Sequence, residues 1–464
     1  MTKTRRRALP ALGGAALLAV SSLSLAHAHG PAASSSDGTG PGELTSAFEQ
    51  AAAEYDVPQD VLVALSQTVT RMDHHDGEPS ASAGYGLMHL FQNPETDTLA
   101  TAAELTGSSE SELKSDEATN IEGAAAILRA HADALELEAA ERDDVNMWYE
   151  PLARYSGFAD PSIARLEADA VYDYLESGFA TEVDGERIGV DSRSVDPELG
   201  SFADVSTLDD RLDAQSEDYP PALWVPAHSS NYTSAERPNS HAIDRVVIHT
   251  TEGNYAGAIS WLQNPESNVS AHYVLRSSDG EVTQMVRHSD IGWHAGNWNY
   301  NTRSIGLEHE AFVDDPSWYT EAMYRSSAAL TAHIADTYEL PKDRDHIIGH
   351  NEVPGATHTD PGQYWDWDHY MSLVNGAGDQ PDGTPYDVWA SAVNVRADST
   401  TDSDVVGNLG DPRTVHVECQ QEGEEITHGD VTSNLWARLS SPTEGYISNV
   451  FIDGGADGLD VETC

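Results

Sequence analysis

Positive charge is scarce in this sequence. Its 464 residues include 24 Lys or Arg against 78 Asp or Glu, which gives a formal net charge of −54. Lysine occurs only at Lys3, Lys114 and Lys342. Proteins that bind nucleic acid or anionic lipid without sequence preference need a basic surface that neutralises phosphates. The charge balance therefore excludes non-specific binding of DNA, RNA or acidic membranes.

Long apolar runs are also lacking, with one exception at the N-terminus. Arg5–Arg7 form a positive segment, residues 8–25 are small and apolar, and Ala26–Ala28 fit an A-x-A cleavage site. This pattern predicts a signal peptide over residues 1–28 and a secreted protein. A membrane anchor is the alternative, but the run is short and contains Ser and Gly. No later segment approaches about 18 apolar residues, so we expect no membrane span in the mature chain.

Cysteine is limited to Cys419 and Cys464. An even pair in a secreted protein favours one disulfide between them. Metal ligation by this pair is the weaker alternative, because neither residue has a His or Cys at ligand spacing.

Acidic residues are what the sequence has in excess, and two explanations compete. A solvated acidic surface suits high ionic strength, where salt screens the repulsion between carboxylates. A cationic partner or a metal load is the alternative, but a binding tract would cluster its charge. Here the carboxylates run through every segment after the N-terminus, so we favour the salt-adapted surface.

The pattern of residues predicts a multidomain α+β chain. Helical periodicity comes first, alternating strands and helices follow, and the last part contains only short strands. After the signal peptide we expect a linker at 29–42, a helical domain at 43–180, an acidic connector at 181–235, an α/β domain with a mixed sheet at 236–380 and a small β-barrel at 381–464.

The α/β segment carries the candidate chemistry. His249 ends the apolar strand Asp244–His249, His350 ends the short strand His346–His350, and Asp360 follows soon after. The last residue of a buried parallel strand lies at the carboxyl edge of the sheet, where α/β sites gather. Any one His alone is more often a surface or core residue. Together, two His, one carboxylate and an open fourth position form a catalytic zinc set.

A carboxylate on another strand is the candidate proton carrier. Glu308 lies within Ser304–Glu310, and strand alternation places it on the face opposite Leu307 and His309. A buried carboxylate is costly without a partner, and beside zinc Glu308 could take a proton from a water molecule. His309 and Glu310 are rival ligands or bases, and we expect Glu310 to be the more solvated because it is nearer the end of the strand.

Residues 240–375 resemble the zinc-dependent N-acetylmuramoyl-L-alanine amidases of the peptidoglycan-recognition superfamily, amidase type 2. The matching pieces, in the family's order and spacing, are VVIHTTEG, SAHYVLRSSDGEVTQMV, GWHAGNWNYNTRSIGLEHE and HIIGHNEVPGATHTDPGQYWDW. The resemblance implies Zn2+ bound by His249, His350 and Asp360, with Glu308 as the catalytic carboxylate. It also implies hydrolysis of the amide bond between N-acetylmuramic acid and L-alanine in peptidoglycan.

Two positions depart from the family's pattern. His358 stands where many members have Lys, and a protonated His can still donate to an oxyanion. Ala271 stands where some relatives have Tyr, so Glu308 carries more of the catalytic role. The residues expected to face the substrate or to support the site are Trp293, His294 and His272.

The helical domain resembles the fold of the lytic transglycosylases, mainly through GYGLMHL at 84–90. The stretch Thr68–Arg71 lacks the acidic Glu of that family, and a glycosidase without its acid should be inert. The resemblance therefore implies a domain that either binds glycan without cutting it or serves as a helical spacer.

The last domain resembles bacterial SH3-like domains through Val393–Arg396 and two later segments that contain Trp436 and Tyr446. Such modules often bind wall peptides. Both aromatic side chains line a groove or belong to the core, and the core is the favoured place for Trp436.

Two classes of function remain. One is a secreted wall hydrolase, acting on muramyl peptides as a monomer. The other is a recognition protein that binds peptidoglycan without cutting it. Non-cutting members of the superfamily lack part of the zinc set, and this sequence has the whole set together with Glu308, so the enzyme is favoured.

Overall fold

The computed structural model describes most of the chain from Gly42 onward. The predicted signal peptide at 1–28 and the predicted linker at 29–42, apart from Gly42, lie outside the described residues. Within the described part of the chain, no helix has the length and apolar character needed to cross a membrane. The described ranges are 42–94, 96–183, 185–208, 216–376, 384–390, 393–410, 413–429, 431–441, 443–456, 458–459 and 461–464.

The first described part of the chain is mainly helical. Side chains cap several of its helices: the Asp97 carboxylate accepts the backbone N–H of Ala100, and Ser109 and Glu112 form a reciprocal capping box at the start of the next helix. The apolar faces enclose one core, in which Phe48 is fully buried. The elements are α1 Glu43–Tyr55, α2 Gln59–Thr70, β1 Gly84–Tyr85, β2 Leu90–Phe91, α3 Thr98–Thr106, α4 Glu110–Ser115, α5 Glu117–Ala134, α6 Ala139–Arg142, α7 Tyr149–Tyr155, α8 Pro161–Ser177, β3 Phe179–Val183 and β4 Glu186–Val190.

The region predicted as a solvated connector begins with regular structure. Strands β3 and β4 pair as an antiparallel hairpin, and Ile188 and Val190 are buried in the helical core. The prediction of a connector from residue 181 was wrong for this hairpin. Only every second residue of β4 is apolar, and the surrounding acidic residues obscure so short an alternation.

A mixed sheet forms the centre of the α/β domain. Its strands and the short strands beside it are β5 Leu223–Trp224, β6 Tyr232–Thr233, β7 Arg245–Thr250, β8 Tyr273–Leu275, β9 Val282–Gln284, β10 Ile291–Gly292, β11 Ser304–His309 and β12 Ile347–Gly349. The helices are α9 Tyr255–Gln263, α10 Trp298–Asn301, α11 Glu321–Tyr338 and α12 Trp367–Val374. The strand order is β12-β7-β11-β8-β9-β5. Strands β12, β7, β11 and β8 are parallel and β9 is antiparallel to β8, which confirms the predicted mixed sheet.

The last described part of the chain is a seven-stranded sheet. The strands are β13 Thr384–Val388, β14 Asn394–Arg396, β15 Val405–Asn408, β16 Arg413–His428, β17 Val431–Ser441, β18 Gly445–Ser448 and β19 Glu462–Thr463. Strand β16 has 16 residues, so the prediction that this part contains only short strands was wrong for this element. A disulfide joins Cys419 to Cys464, with Cα atoms 5.1 Å apart. Trp436 is buried at 2% exposure, while the SH3-like assignment stays a prediction.

The helical domain packs directly on the α/β domain. The Arg71 guanidinium, just after α2, lies 4.0 Å from the ring centroid of Trp318, within the range of a cation–π contact. Ile163 on α8 belongs to the same buried apolar cluster as Tyr255 and Ile259 on α9. The loop that follows β7 therefore lies between the sheet and the helical domain.

Candidate active site

Two neighbouring parallel strands carry the first two candidate ligands. Strand β12 pairs with β7 so that Gly349 lies opposite Ile248, and the next residues along the chain are His350 and His249. Both side chains therefore leave the sheet at its carboxyl edge. The loop after β12 supplies Asp360. The exposed fractions of His249, His350 and Asp360 are 2%, 6% and 5%.

The three side chains converge on one point. His249 Nδ1 lies 3.1 Å from Asp360 Oδ2, and His350 Nδ1 lies 3.0 Å from Asp360 Oδ1. One ligand atom from each residue lies within 4.8 Å of the others. Burial opposes ionisation of Asp360, but the hydrogen bonds from the two imidazoles hold its pKa well below the usual range. An ionised carboxylate thus faces two imidazole nitrogens.

Glu308 lies beside His249 on the adjacent strand. Strand β11 pairs in parallel with β7, and Glu308 is directly opposite His249 in the register. Its Oε1 lies 4.0 Å from His249 Nδ1, and its side chain is 20% exposed. Burial, and then the Asp360 and Glu252 carboxylates, raise the pKa of Glu308 well above its usual range. The pocket therefore brings three carboxyl groups together, and this favours the neutral form of Glu308 until a cation offsets the charge of its neighbours.

The donor set fits zinc. Zn2+ binds His nitrogen and carboxylate oxygen in a tetrahedral shell, and three protein ligands leave a position for water or substrate. A divalent cation would also offset the carboxylates that surround it. Among the residues that the structure describes, no second group of three or more His, Cys, Asp or Glu side chains converges in this way.

The two rival residues, one in β11 and one just after it, point elsewhere. His309 is fully buried, and its Nδ1 lies 2.8 Å from the carbonyl oxygen of His249. Glu310 is 7% exposed, and its carboxylate accepts the backbone N–H groups of Tyr255 at 2.9 Å and Ser277 at 2.7 Å. The expectation that Glu310 is the more solvated carboxylate was wrong, because the first residue of α9 and the turn after β8 cover its carboxylate and satisfy it internally.

A cavity of about 670 Å³ opens beside the candidate ligands. His358 is exposed on its rim, and its ring stacks on that of His350 with centroids 5.0 Å apart. Trp293 lines the wall, and Trp298 is 57% exposed at the rim. Sequence reasoning missed Trp298 as a site residue. The available signal was a large aromatic among turn-forming Asn residues on a surface segment.

The other two His predicted near the substrate are buried. His294 is 8% exposed, and its ring lies between those of His249 and His272. His272 is fully buried, with its Nε2 2.7 Å from Arg237 Nη2. Sequence reasoning missed Arg237, which also donates to the carbonyl oxygen of Ser304 at 2.8 Å. These partners are 35 and 67 residues away, so no local pattern could reveal them. Substrate contact by His294 stays a prediction.

One stretch of the chain is similar to known proteins. Residues 239–363 match the family model described as N-acetylmuramoyl-L-alanine amidase. N-acetylmuramoyl-L-alanine amidase A of Achromobacter lyticus is 42% identical over 181 residues, which cover 99% of that protein and 35% of this chain. The chain belongs to the N-acetylmuramoyl-L-alanine amidase family. The part matched by the amidase model contains all three candidate ligands and Glu308.

Further amidases are similar over about a third of the chain. The 1,6-anhydro-N-acetylmuramyl-L-alanine amidase AmpD of Haemophilus influenzae is 38% identical over 164 residues, which cover 86% of that protein and 30% of this chain. Among solved structures, a selenomethionine derivative of AmpD is 28% identical with a TM-score of 0.27, covering 98% of that chain and 34% of this one.

Proposed function

We propose that this protein is a secreted, zinc-dependent peptidoglycan hydrolase that cuts the amide bond between N-acetylmuramic acid and L-alanine. Membership of the amidase family supports the class of reaction. The observation that carries the proposal is the convergence of His249, His350 and Asp360, with Glu308 beside them. Three side chains that can bind a metal thus lie beside a carboxylate. The Glu308 carboxylate lies 4.0 Å from His249 Nδ1, whereas the Glu310 carboxylate already accepts two backbone N–H groups.

The residues of the pocket divide the chemistry between them. When bound there, zinc supplies a Lewis acid that polarises the scissile carbonyl and lowers the pKa of water toward about 7. Glu308 takes the proton of the attacking water and passes it to the leaving amine. His358, stacked on His350 at the mouth of the site, donates in its protonated form to the developing oxyanion.

Substrate binding depends on short-range contacts in this proposal. The protein carries a net charge of −54, and wall peptides carry carboxylates too, so long-range attraction is weak. Trp293 and Trp298 offer aromatic faces at the cavity beside the metal ligands. These faces, together with hydrogen bonds and the metal site, hold the muramyl peptide.

The flanking domains have supporting roles in the same proposal. The helical domain at 43–180 has no glycosidase activity, the domain at 381–464 is an SH3-like module that binds wall peptide, and the enzyme acts as a monomer. Secretion follows from the predicted signal peptide at 1–28.

Digestion of purified peptidoglycan tests the proposed function. We expect new amino-terminal L-alanine from the full chain and its loss when a chelator removes the metal. Glu308→Gln should retain zinc but lose roughly 10²–10⁴-fold in rate, the usual contribution of a positioned acid–base group. The control Glu266→Gln changes an exposed carboxylate of the same domain and should keep full activity. Full activity of zinc-loaded Glu308→Gln would remove the role assigned to Glu308, and binding without release would support the recognition protein.

A further inference from the structure

We propose that Ser304, acting through His294, determines which nitrogen of His249 carries the ring proton, and so presents the Nδ1 lone pair of His249 to the metal. Ser304 and His294 are positioning residues in this role, since neither belongs to the three-residue ligand set. The inference rests on the proposed zinc site and identifies what orients one of its ligands.

A chain of short contacts runs from the ligand into the protein. His249 Nε2 lies 2.9 Å from His294 Nδ1, and His294 Nε2 lies 3.1 Å from Ser304 Oγ. Ser304 Oγ lies 2.7 Å from the carbonyl oxygen of Tyr300. The exposed fractions of His249, His294 and Ser304 are 2%, 8% and 0%. Water has little access to these atoms, so the donors and acceptors are satisfied within the chain of contacts.

The Tyr300 end of the chain decides the direction of the hydrogen bonds. A carbonyl oxygen only accepts, so the Ser304 hydroxyl donates its single proton to Tyr300 across the shorter of its two contacts. Ser304 Oγ then accepts the Nε2–H of His294. That tautomer leaves His294 Nδ1 free to accept the Nε2–H of His249.

The direction of these hydrogen bonds decides whether Nδ1, on the other side of the His249 ring, can bind a metal. With a proton held on Nε2, Nδ1 is the nitrogen of His249 that can bind a metal, which then replaces the hydrogen bond from Nδ1 to Asp360. The opposite direction would place an N–H of His249 where the metal must bind. Partners that orient the remote nitrogen of a metal-binding His fix its tautomer in this way.

Strand β11 provides both the space and the anchor for the His294 ring. A Cβ atom on Gly306 would lie 2.5 Å from His294 Cγ and 2.6 Å from His294 Nδ1, so the ring occupies the volume of a missing side chain. Ser304, Gly306 and Glu308 alternate onto the same face of β11. One strand face therefore carries the orienting hydroxyl, the space for the ring and the candidate proton carrier.

Zinc affinity, measured by competition with a chelator, tests the inference without an activity assay. Ser304→Ala removes the hydroxyl that sets the direction, and we expect affinity to fall roughly tenfold, at the lower end of the effect of outer partners of metal ligands. The matched control is Ser216→Ala, which removes an equally buried hydroxyl bonded to Gln284 in the same domain. The control should bind zinc like the wild type. Equal affinity of wild type and Ser304→Ala overturns the inference.

A second measurement reads the position of the proton in the wild type itself. Long-range proton–nitrogen correlation spectra of the zinc-loaded wild type should show the His294 proton on Nε2 and none on Nδ1, with His294→Gln used only to assign the signals. A proton on Nδ1 overturns the inference. A wild type that binds no zinc overturns both this inference and the proposed function. A wild type that binds zinc but leaves peptidoglycan uncut contradicts the proposed function alone.

Discussion

At the scale of single residues, Glu252 shows how the helical domain reaches the active site. Its backbone has a φ of 44°, in the left-handed region that side chains with a Cβ rarely adopt. The N–H of Ala81, from the helical domain, donates to the carbonyl oxygen of Glu252 at 2.8 Å. Burial, opposed by a hydrogen bond from Val313 and reinforced by Asp314 and Asp360, raises the pKa of Glu252 to about 7. An unfavourable backbone thus sits three residues after His249, held from outside the α/β domain.

The raised pKa of Glu252 predicts that this residue makes the metal-free folded protein less stable as the pH rises. The unfolded chain releases this proton near the ordinary pKa of 4.5, whereas the folded chain keeps it until about 7. Wild-type stability should therefore fall as pH rises from 4.5 to 7, and this loss should be absent in Glu252→Gln. Between pH 4.5 and 8 the variant should gain roughly 1–3 kcal/mol relative to the wild type. Denaturant unfolding in the presence of chelator measures the free energy of unfolding of variant and wild type at each pH. For Glu266→Gln the difference from the wild type should not change with pH. A difference that is also independent of pH for Glu252→Gln would contradict the raised pKa.

The convergence of the candidate metal ligands could be predicted from sequence, whereas their supporting residues could not. His249 and His350 each end an apolar run, and parallel strands bring such ends together at one edge of a sheet. The solvation of Glu310 was predicted wrongly, because the backbone amides that bind its carboxylate come from the start of α9 and from the turn after β8, 55 and 33 residues away. Arg237 and Glu252 acquire their roles through contacts that no local pattern encodes.

At the scale of elements, β11 is constrained by a glycine. Because the His294 ring fills the space beside Gly306, Gly306→Ala should displace the ring and destabilise the fold by about 1–3 kcal/mol, as overpacking usually does. It should also lower zinc affinity. The control is Gly253→Ala, where the nearest atom to a new Cβ is 3.6 Å away and little change is expected. Thermal unfolding and chelator competition measure both effects; a stable Gly306→Ala with normal affinity would contradict the packing argument.

The long hairpin β16–β17 was missed for a physical reason. The outer half of β16 reads ECQQEGEEITH, which lacks the apolar alternation of a half-buried strand. This half forms a strand because it pairs with β17 and not because it is buried. The pairing between the two strands continues to His428 and Val431. The buried ends of the same strands were predictable, because Val415, Val417 and Leu439 belong to the core of this domain.

The disulfide should contribute measurably to the C-terminal domain. It spans a sequence separation of 45 residues, for which loop-closure entropy suggests about 4 kcal/mol. The double variant Cys419→Ser with Cys464→Ser should lower the unfolding transition of this domain, while peptidoglycan digestion by the α/β domain is retained. Calorimetry separates the transitions. A reduced wild type that unfolds like the oxidised form would contradict this expectation.

At the scale of the whole molecule, the contact between the helical and α/β domains should stabilise the chain. Arg71 stacks on Trp318 and donates to Ser277 Oγ at 3.0 Å across this contact. Arg71→Ala should cost about 1–3 kcal/mol, as expected for a partly buried cation–π contact combined with hydrogen bonds. The control Arg187→Ala removes an ion pair with Asp404 whose two side chains are 76% and 70% exposed and should cost less than about 1 kcal/mol. If both variants unfolded at the same temperature, the contact of Arg71 would contribute no more to stability than the ion pair removed in the control.

The acidic surface gives a second expectation for the whole molecule. If the charge is an adaptation to salt, screening relieves the repulsion among carboxylates and between the protein and wall peptides. Hydrolysis of peptidoglycan should then hold or rise in molar salt, with the folded state retained. A collapse of activity there, with the protein still folded, would favour a specific cationic partner for the acidic groups.

The apolar cluster that joins Ile163 to Tyr255 and Ile259 has a practical consequence. A fragment cut at the predicted domain boundary near residue 236 would expose the side of α9 that α8 covers. Such a fragment presents a new apolar patch to water and is prone to aggregate. A shortened protein that keeps the amidase part should therefore begin before α8, or carry polar side chains in place of the apolar ones that α8 covers on α9.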